Sequence, residues 1–244
     1  MIYVYDGTFK GLLTAVFEAY YRKEDPSKIT TDEYLQTNLL EKIVYITTDN
    51  QKSARVYDSI VCNITLECAE DIYYTFLSNY EDSATWIYQY LKLGFKVKKK
   101  LSLYQTDEAV MRIRNTVYKV FGEKHRLMGL LRFSMLESGV YYAPISPDHD
   151  ITELLAPHFS DRLADQKWII HDVKRKKAAV YDTGEWYMTD FDYDTHSLVN
   201  EKSQDFQDLW RRYFNHISIP ERRNISLHRK MMPARYWKHM TEKQ

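Results

Sequence analysis

The apolar side chains of this chain change period between residues 121 and 130, and that change limits the possible folds more than any other feature. Up to Phe121 they recur every three or four residues, as on one face of a helix. From Leu130 they alternate, as in half-buried strands. Helices followed by a run of strands predict the α+β class, with a helical N-terminal half, a sheet in the middle and C-terminal helices.

In the first half, "IYVY" (2–5) reads as a short strand ending at the turn signal Asp6-Gly7. Phe9, Leu12, Leu13, Val16, Phe17 and Tyr20 then predict a helix over 9–23, stopped by Pro26 and Ser27. "KIVYITTD" (42–49) reads as a strand, and Gln51 to about Phe95 as consecutive helices broken at Asn79 to Ser83. Asp107 can cap a further helix with Val110, Ile113, Val117, Val120 and Phe121 inside, and Gly122 as its C-terminal stop.

In the second half, "LLRFSML" (130–136) and "VYYAPI" (140–145) flank Ser138-Gly139, a hairpin signature. Residues 151–163 read as helix, followed by "WIIHDV" (168–173), the basic turn "KRKK", "AAVYD" (178–182) and a further strand at "EWYMTD". The expectation is an antiparallel β-β-α-β-β sheet. Phe206, Leu209, Trp210, Tyr213, Phe214 and Ile217 mark a last amphipathic helix. Three regions are thus expected to pack as one compact unit: mainly helical 1–124, the β-β-α-β-β unit 125–195, and helices with a basic tail over 196–244.

Charge is segregated although the 34 Lys/Arg and 34 Asp/Glu cancel. Residues 1–90 carry 7 basic against 14 acidic side chains, and 91–135 carry 11 against 3. Residues 136–208 carry 7 against 15, and 209–244 carry 9 against 2. Two basic blocks alternating with two acidic ones suit an anionic partner, or neutralise each other within the fold. Cys62 and Cys68 are the only cysteines, too few for a zinc ribbon or an iron–sulfur cluster built by this chain. No apolar run approaches the roughly 20 residues of a membrane span, and the start lacks the pattern of a signal peptide. A reduced cytoplasmic protein without membrane, metal or cofactor is expected.

The stretch "YYAPISPDHDITELLAPHFSDRL" (141–163) looks most like a reaction centre. Its acids also have structural roles to play. Asp150 and Glu153 have capping-box-like spacing, Asp148 adds charge near the positive helix end, and Pro157 bends or restarts the helix. His158 lies beside the buried stripe. A catalytic reading needs His149 to meet His125, His171 or Asp6, with a carboxylate orienting the imidazole. His171 alternates with Ile170 and so can face solvent, with Asp172 turned the other way. No zinc-protease helix, nucleophile elbow, P-loop or glycine-rich dinucleotide turn is present.

The carboxy-terminal stretch 211–240 holds Arg211, Arg212, Arg222, Arg223, Arg229, Lys230, Arg235 and Lys238 against the single acid Glu221. Tyr213, Phe214, Tyr236 and Trp237 are interleaved with them. Cations neutralise phosphates and aromatic faces stack on unpaired bases, so this mixture suits a nucleic acid. "KLGFKVKKKL" (92–101) adds five lysines. The alternative is a solvated helix face whose long cationic stems cover apolar surface.

"YDGTFKGLLTAVFEAY", "HRLMGLLRF", the 141–163 stretch with "WIIHDVKRKKAAVYD", and "ERRN…LHRKMMPARYWKHMTE" together resemble an uncharacterised bacterial family labelled "probable DNA metabolism protein". The resemblance runs in order over almost the whole chain. Members of that family are typically encoded beside a radical SAM protein thought to act in DNA modification or repair, and a related domain is fused to uracil-DNA glycosylase-like proteins. The family's recurrent blocks fall on Asp6-Gly7, His125-Arg126, Tyr142, Asp148-His149, His158-Phe159, His171-Asp172 and Pro233 to Trp237. The resemblance implies association with DNA transactions and assigns no reaction; taken with the basic tail, it leads to the expectation of an accessory DNA-binding protein working with a radical SAM partner. Arg222, Arg223, Arg229, Lys230, Arg235 and Lys238 would then lie on phosphates, with Tyr236 or Trp237 stacking. A nucleic-acid hydrolase or lyase using His149, and a protein-interaction scaffold, are the alternatives.

Overall fold

The computed structural model describes residues 1–34, 41–192, 201–217 and 224–243. They form two compact units, Met1–Phe121 and Gly122–Gln244.

The first unit is built on a parallel sheet with strand order β2-β1-β3. Strand β1 (Ile2–Tyr5) is buried throughout, and β2 (Lys28–Thr31) and β3 (Ile43–Tyr45) flank it. A strand followed by a helix returns parallel to itself, and α1 (Phe9–Arg22) makes that crossover. The expected strand over 42–49 is therefore shorter, and β2 was not expected. Asp49 ends the strand region because its side chain accepts the amides of Gln51 (2.8 Å) and Lys52 (3.0 Å), starting α2 (Asn50–Asn63). Thr65 starts α3 (Leu66–Phe76) in the same way, and α4 (Ser83–Val97) follows the expected break. Tyr3, Leu12, Val16, Ile60, Ile72, Ile87, Leu91 and Ile113 are among the core residues of this unit.

Helix α5 (Glu108–Leu130) runs straight through Gly122 instead of stopping there. An interior glycine costs about 1 kcal/mol relative to alanine, too little to end a helix with a continuous buried stripe. Ile113, Thr116, Val120, Glu123 and Leu127 make that stripe. Because the helix extends to Leu130, the strand expected over 130–136 shrinks to β4 (Ser134–Met135).

The second unit holds a five-stranded sheet in the order β4-β5-β6-β7-β8, with β5 (Tyr141–Ile145), β6 (Trp168–Asp172), β7 (Lys177–Tyr181) and β8 (Trp186–Asp190). Gly139, at φ 81°, supplies the left-handed residue of the β4–β5 turn. One pairing differs from the all-antiparallel expectation. Strands β5 and β6 are parallel, Tyr141 opposite Trp168 and Ile145 opposite Asp172, because α6 (Thr152–Arg162) crosses between them. Pro157 sits inside α6 without dividing it. Ile151, Leu155 and Phe159 are buried here, as are Trp168, Ile170 and Ala179 on the strands. Helices α7 (Glu201–Ile217) and α8 (Ile225–Met231) follow.

Candidate functional site around Glu123 and His149

Glu123 is the residue that sequence reasoning missed. Its side chain is 1% exposed, and it accepts the amides of Asp148 (3.0 Å) and His149 (2.8 Å) and the hydroxyl of Tyr236. The guanidinium of Arg235 stands 3.4 Å away. Burial alone would raise the Glu123 pKa. The Tyr236 hydroxyl and the two amides outweigh it and hold the carboxyl below its ordinary value. One ionised carboxylate thus joins a helix, the turn before α6 and the C-terminal segment, whose residues lie up to 113 positions away. The available signal was a lone glutamate in an otherwise mostly apolar helical stripe.

The turn carrying His149 is clamped from the other side by Arg175. Its guanidinium donates to the carbonyls of Pro147 (3.2 Å) and Asp148 (2.7 Å) and to Asp172 (2.8 Å). Asp172, fully buried, also accepts the amides of Lys174 and Arg175. Asp148 in turn pairs with Arg235 at 3.0 Å. His149 itself is buried, and burial lowers its pKa; the carboxylates of Glu123 and Asp148 offset this only in part. Burial thus favours the neutral imidazole, the form in which a histidine can accept a proton.

Asp150 does not cap α6. The helix begins two residues later with no side-chain cap, and Asp150 pairs instead with Lys177 of β7. Ile151 accepts the first helical amides through its carbonyl.

The expected histidines have separate surroundings. His125 is exposed on α5, two positions from the buried Glu123 and so on another side of the helix. His171 is buried rather than solvent-facing: Nδ1 lies 2.7 Å from the Tyr142 hydroxyl, and Phe191 meets the ring edge-on. Burial lowers its pKa too. His158 packs edge-on against Phe159. Asp6 lies in the first unit, where it accepts from the Thr8 amide (3.0 Å), the Thr8 hydroxyl (2.7 Å) and the Thr48 hydroxyl (2.7 Å). It ties the end of β1 to the segment after β3. Residue 11 must be glycine there, since a Cβ would sit 2.1 Å from the Asp6 carboxylate.

In the basic tail, Arg229, Lys230, Arg235 and Lys238 are exposed, while Arg222 and Arg223 lie outside the described residues. Tyr236 is buried and employed on Glu123, with the Arg235 guanidinium 4.7 Å from its ring centroid. Trp237 is half-buried, donates to the Met232 carbonyl at 2.8 Å and has the Lys243 ammonium over its ring. Among the described residues, no group of three His, Cys, Asp or Glu side chains could hold a metal ion, and no helix is long and apolar enough to cross a membrane.

These features define a two-unit α+β protein in whose second unit the buried Glu123 carboxylate joins three segments of the chain. The chain belongs to the family described as a domain of unknown function, DUF4130, which matches residues 81–242. No curated protein and no solved structure matches it.

Proposed function

We propose that this chain is a DNA-binding accessory protein of a repair or modification system, working in the reduced cytoplasm beside a radical SAM partner. The observation that carries the reading is the basic tail. Arg229, Lys230, Arg235 and Lys238 are exposed along one short segment, and the Tyr236–Glu123 hydrogen bond anchors that segment to its unit. Exposed cations held in place on a folded unit suit phosphate binding. Resemblance to the DNA metabolism family, with its radical SAM neighbour and its glycosylase-fused relatives, supplies the rest of the support. Cys62 and Cys68 are both free thiols, in keeping with that compartment. In this reading Arg222 and Arg223 join the phosphate-binding set and Trp237 supplies the stacking face, while Tyr236 holds the segment in place.

The test is DNA affinity against salt concentration, with Arg222, Arg223, Arg229, Lys230, Arg235 and Lys238 replaced together by alanine. Every phosphate that is no longer neutralised should reduce the log–log slope by about 0.9 on duplex, or about 0.7 on single strands. If affinity and slope both survive, the reading is wrong.

One observation favours the scaffold alternative. Helix α7 exposes Phe206 (71%), Leu209 and Tyr213, a large apolar surface for a soluble protein. Co-purification with the radical SAM neighbour after nuclease treatment would support that role.

A further inference from the structure

The first unit contains a cleft of about 580 Å³, bounded by α3, α4, the helical turn over 98–103 and α5. Its floor is polar. Asp71, half-buried, receives one long hydrogen bond from the Tyr90 hydroxyl at 3.5 Å, and Cys68 lies beside them. The rim carries Lys99 and Arg114, both exposed and neither in an ion pair among the described residues. Tyr118, 80% exposed, and Phe121 stand on the α5 side.

This arrangement differs from an ordinary structural network. The Asp71 carboxyl is partly withdrawn from water with only the long Tyr90 hydrogen bond to compensate it among the described residues, and neither cation of the cleft forms an ion pair with it there. Burial, aided by Glu67 and Glu70, raises its pKa to about 6 despite the Tyr90 hydrogen bond and the opposing charge of Arg114. Carboxyls perturbed in this way inside a cleft are markers of binding sites. The volume lies in the range of small-molecule pockets. An acceptor at the floor asks for N–H donors, the exposed aromatic rim for a planar ring, and the two cations for an anionic tail. An amino acid would leave much of the cleft empty.

We propose that this cleft binds a nucleotide with guanine as its base, the N1–H and N2–H edge on Asp71, the ring beside Tyr118 and the phosphate at Lys99 and Arg114. A free nucleotide and an unpaired nucleotide of a DNA strand share this chemistry. Only the second source rests on the DNA-binding reading above.

Calorimetry on the full chain at pH 7.5 tests it, with dGMP, dTMP, deoxyguanosine and a three-nucleotide strand with guanine in the middle. The expected result is that dGMP binds at least tenfold more tightly than dTMP, whose single N–H is flanked by two carbonyls. Asp71→Asn should weaken dGMP at least tenfold. Lys99→Ala combined with Arg114→Ala, at exposed positions that leave the core intact, should weaken dGMP at least tenfold and leave deoxyguanosine unchanged. A strand bound at least tenfold more tightly than dGMP identifies DNA as the source; equal or weaker binding identifies the free nucleotide. No binding of dGMP by the wild-type chain at millimolar concentration, equal affinity for dGMP and dTMP, or an unchanged affinity in both variants overturns the proposal. The tail cations are untouched in these variants, so dGMP binding can fail while duplex binding stands, and the reverse.

Discussion

Glu123 in the second unit and Asp71 in the first are both carboxylates removed from bulk water, yet their surroundings are opposite. Glu123 accepts two backbone amides and a phenol, with a guanidinium close by, and stays ionised. Asp71 accepts one long hydrogen bond, has two acids for neighbours on its own helix, and is pushed up to about 6. The difference separates scaffold from site. A satisfied buried charge fixes the parts around it, whereas an under-satisfied one in a cleft has acceptor capacity to offer a ligand. The cations follow the same division. Arg175 is spent on Asp172 and the turn before α6, while Lys99 and Arg114 enter no ion pair among the described residues.

The largest expected effect comes from breaking the satisfied charge. Glu123→Ala strands two amides and a buried phenol and should destabilise the second unit by about 3–5 kcal/mol in urea unfolding. A loss below about 1 kcal/mol would show that Glu123 is not a hub. The loss should be accompanied by faster hydrogen exchange over 146–151 and 233–239, the two segments that Glu123 holds.

The smallest effect, with the opposite sign, is expected at Asp71. A folded pKa of about 6 lies above the unfolded value near 4, so ionising Asp71 costs stability as pH rises from about 4 to 6. Asp71→Asn removes that cost. It should leave the protein unchanged or stabilise it by up to about 1 kcal/mol at pH 8, a figure reduced for the solvent that reaches the carboxyl. The gain should shrink below pH 6 and disappear near pH 4. Destabilisation at pH 8 by more than about 1 kcal/mol would place Asp71 with Glu123 among the structural carboxylates.

Much of the α+β class could be read from the period of the apolar residues, because β1, α1 and the strands from Tyr141 to Asp190 each carry a local pattern. What escaped depends on partners far away in the sequence. The "KITT" of β2 is short and half threonine, and it becomes a strand only because β1 offers it an edge. Gly122 resembles a stop until the stripe on both sides of it is seen to be continuous. Asp150 resembles a cap until Lys177, 27 residues on, takes its carboxylate. The same holds for the site. His149 stood out as an unusual residue at a strand end, but Glu123, which holds its backbone, is one glutamate in a helix containing two acids. The cleft at Asp71 draws on four separate elements, and no stretch of sequence contains it.

Site-resolved NMR titration of the Glu123 and Asp71 side-chain carboxyl carbons compares the two groups most directly. The expected midpoints are about 6 for Asp71 and below the ordinary glutamate value for Glu123. Two ordinary midpoints near 4, or the reverse order, would contradict the division between a structural carboxylate in the second unit and a ligand-ready one in the first.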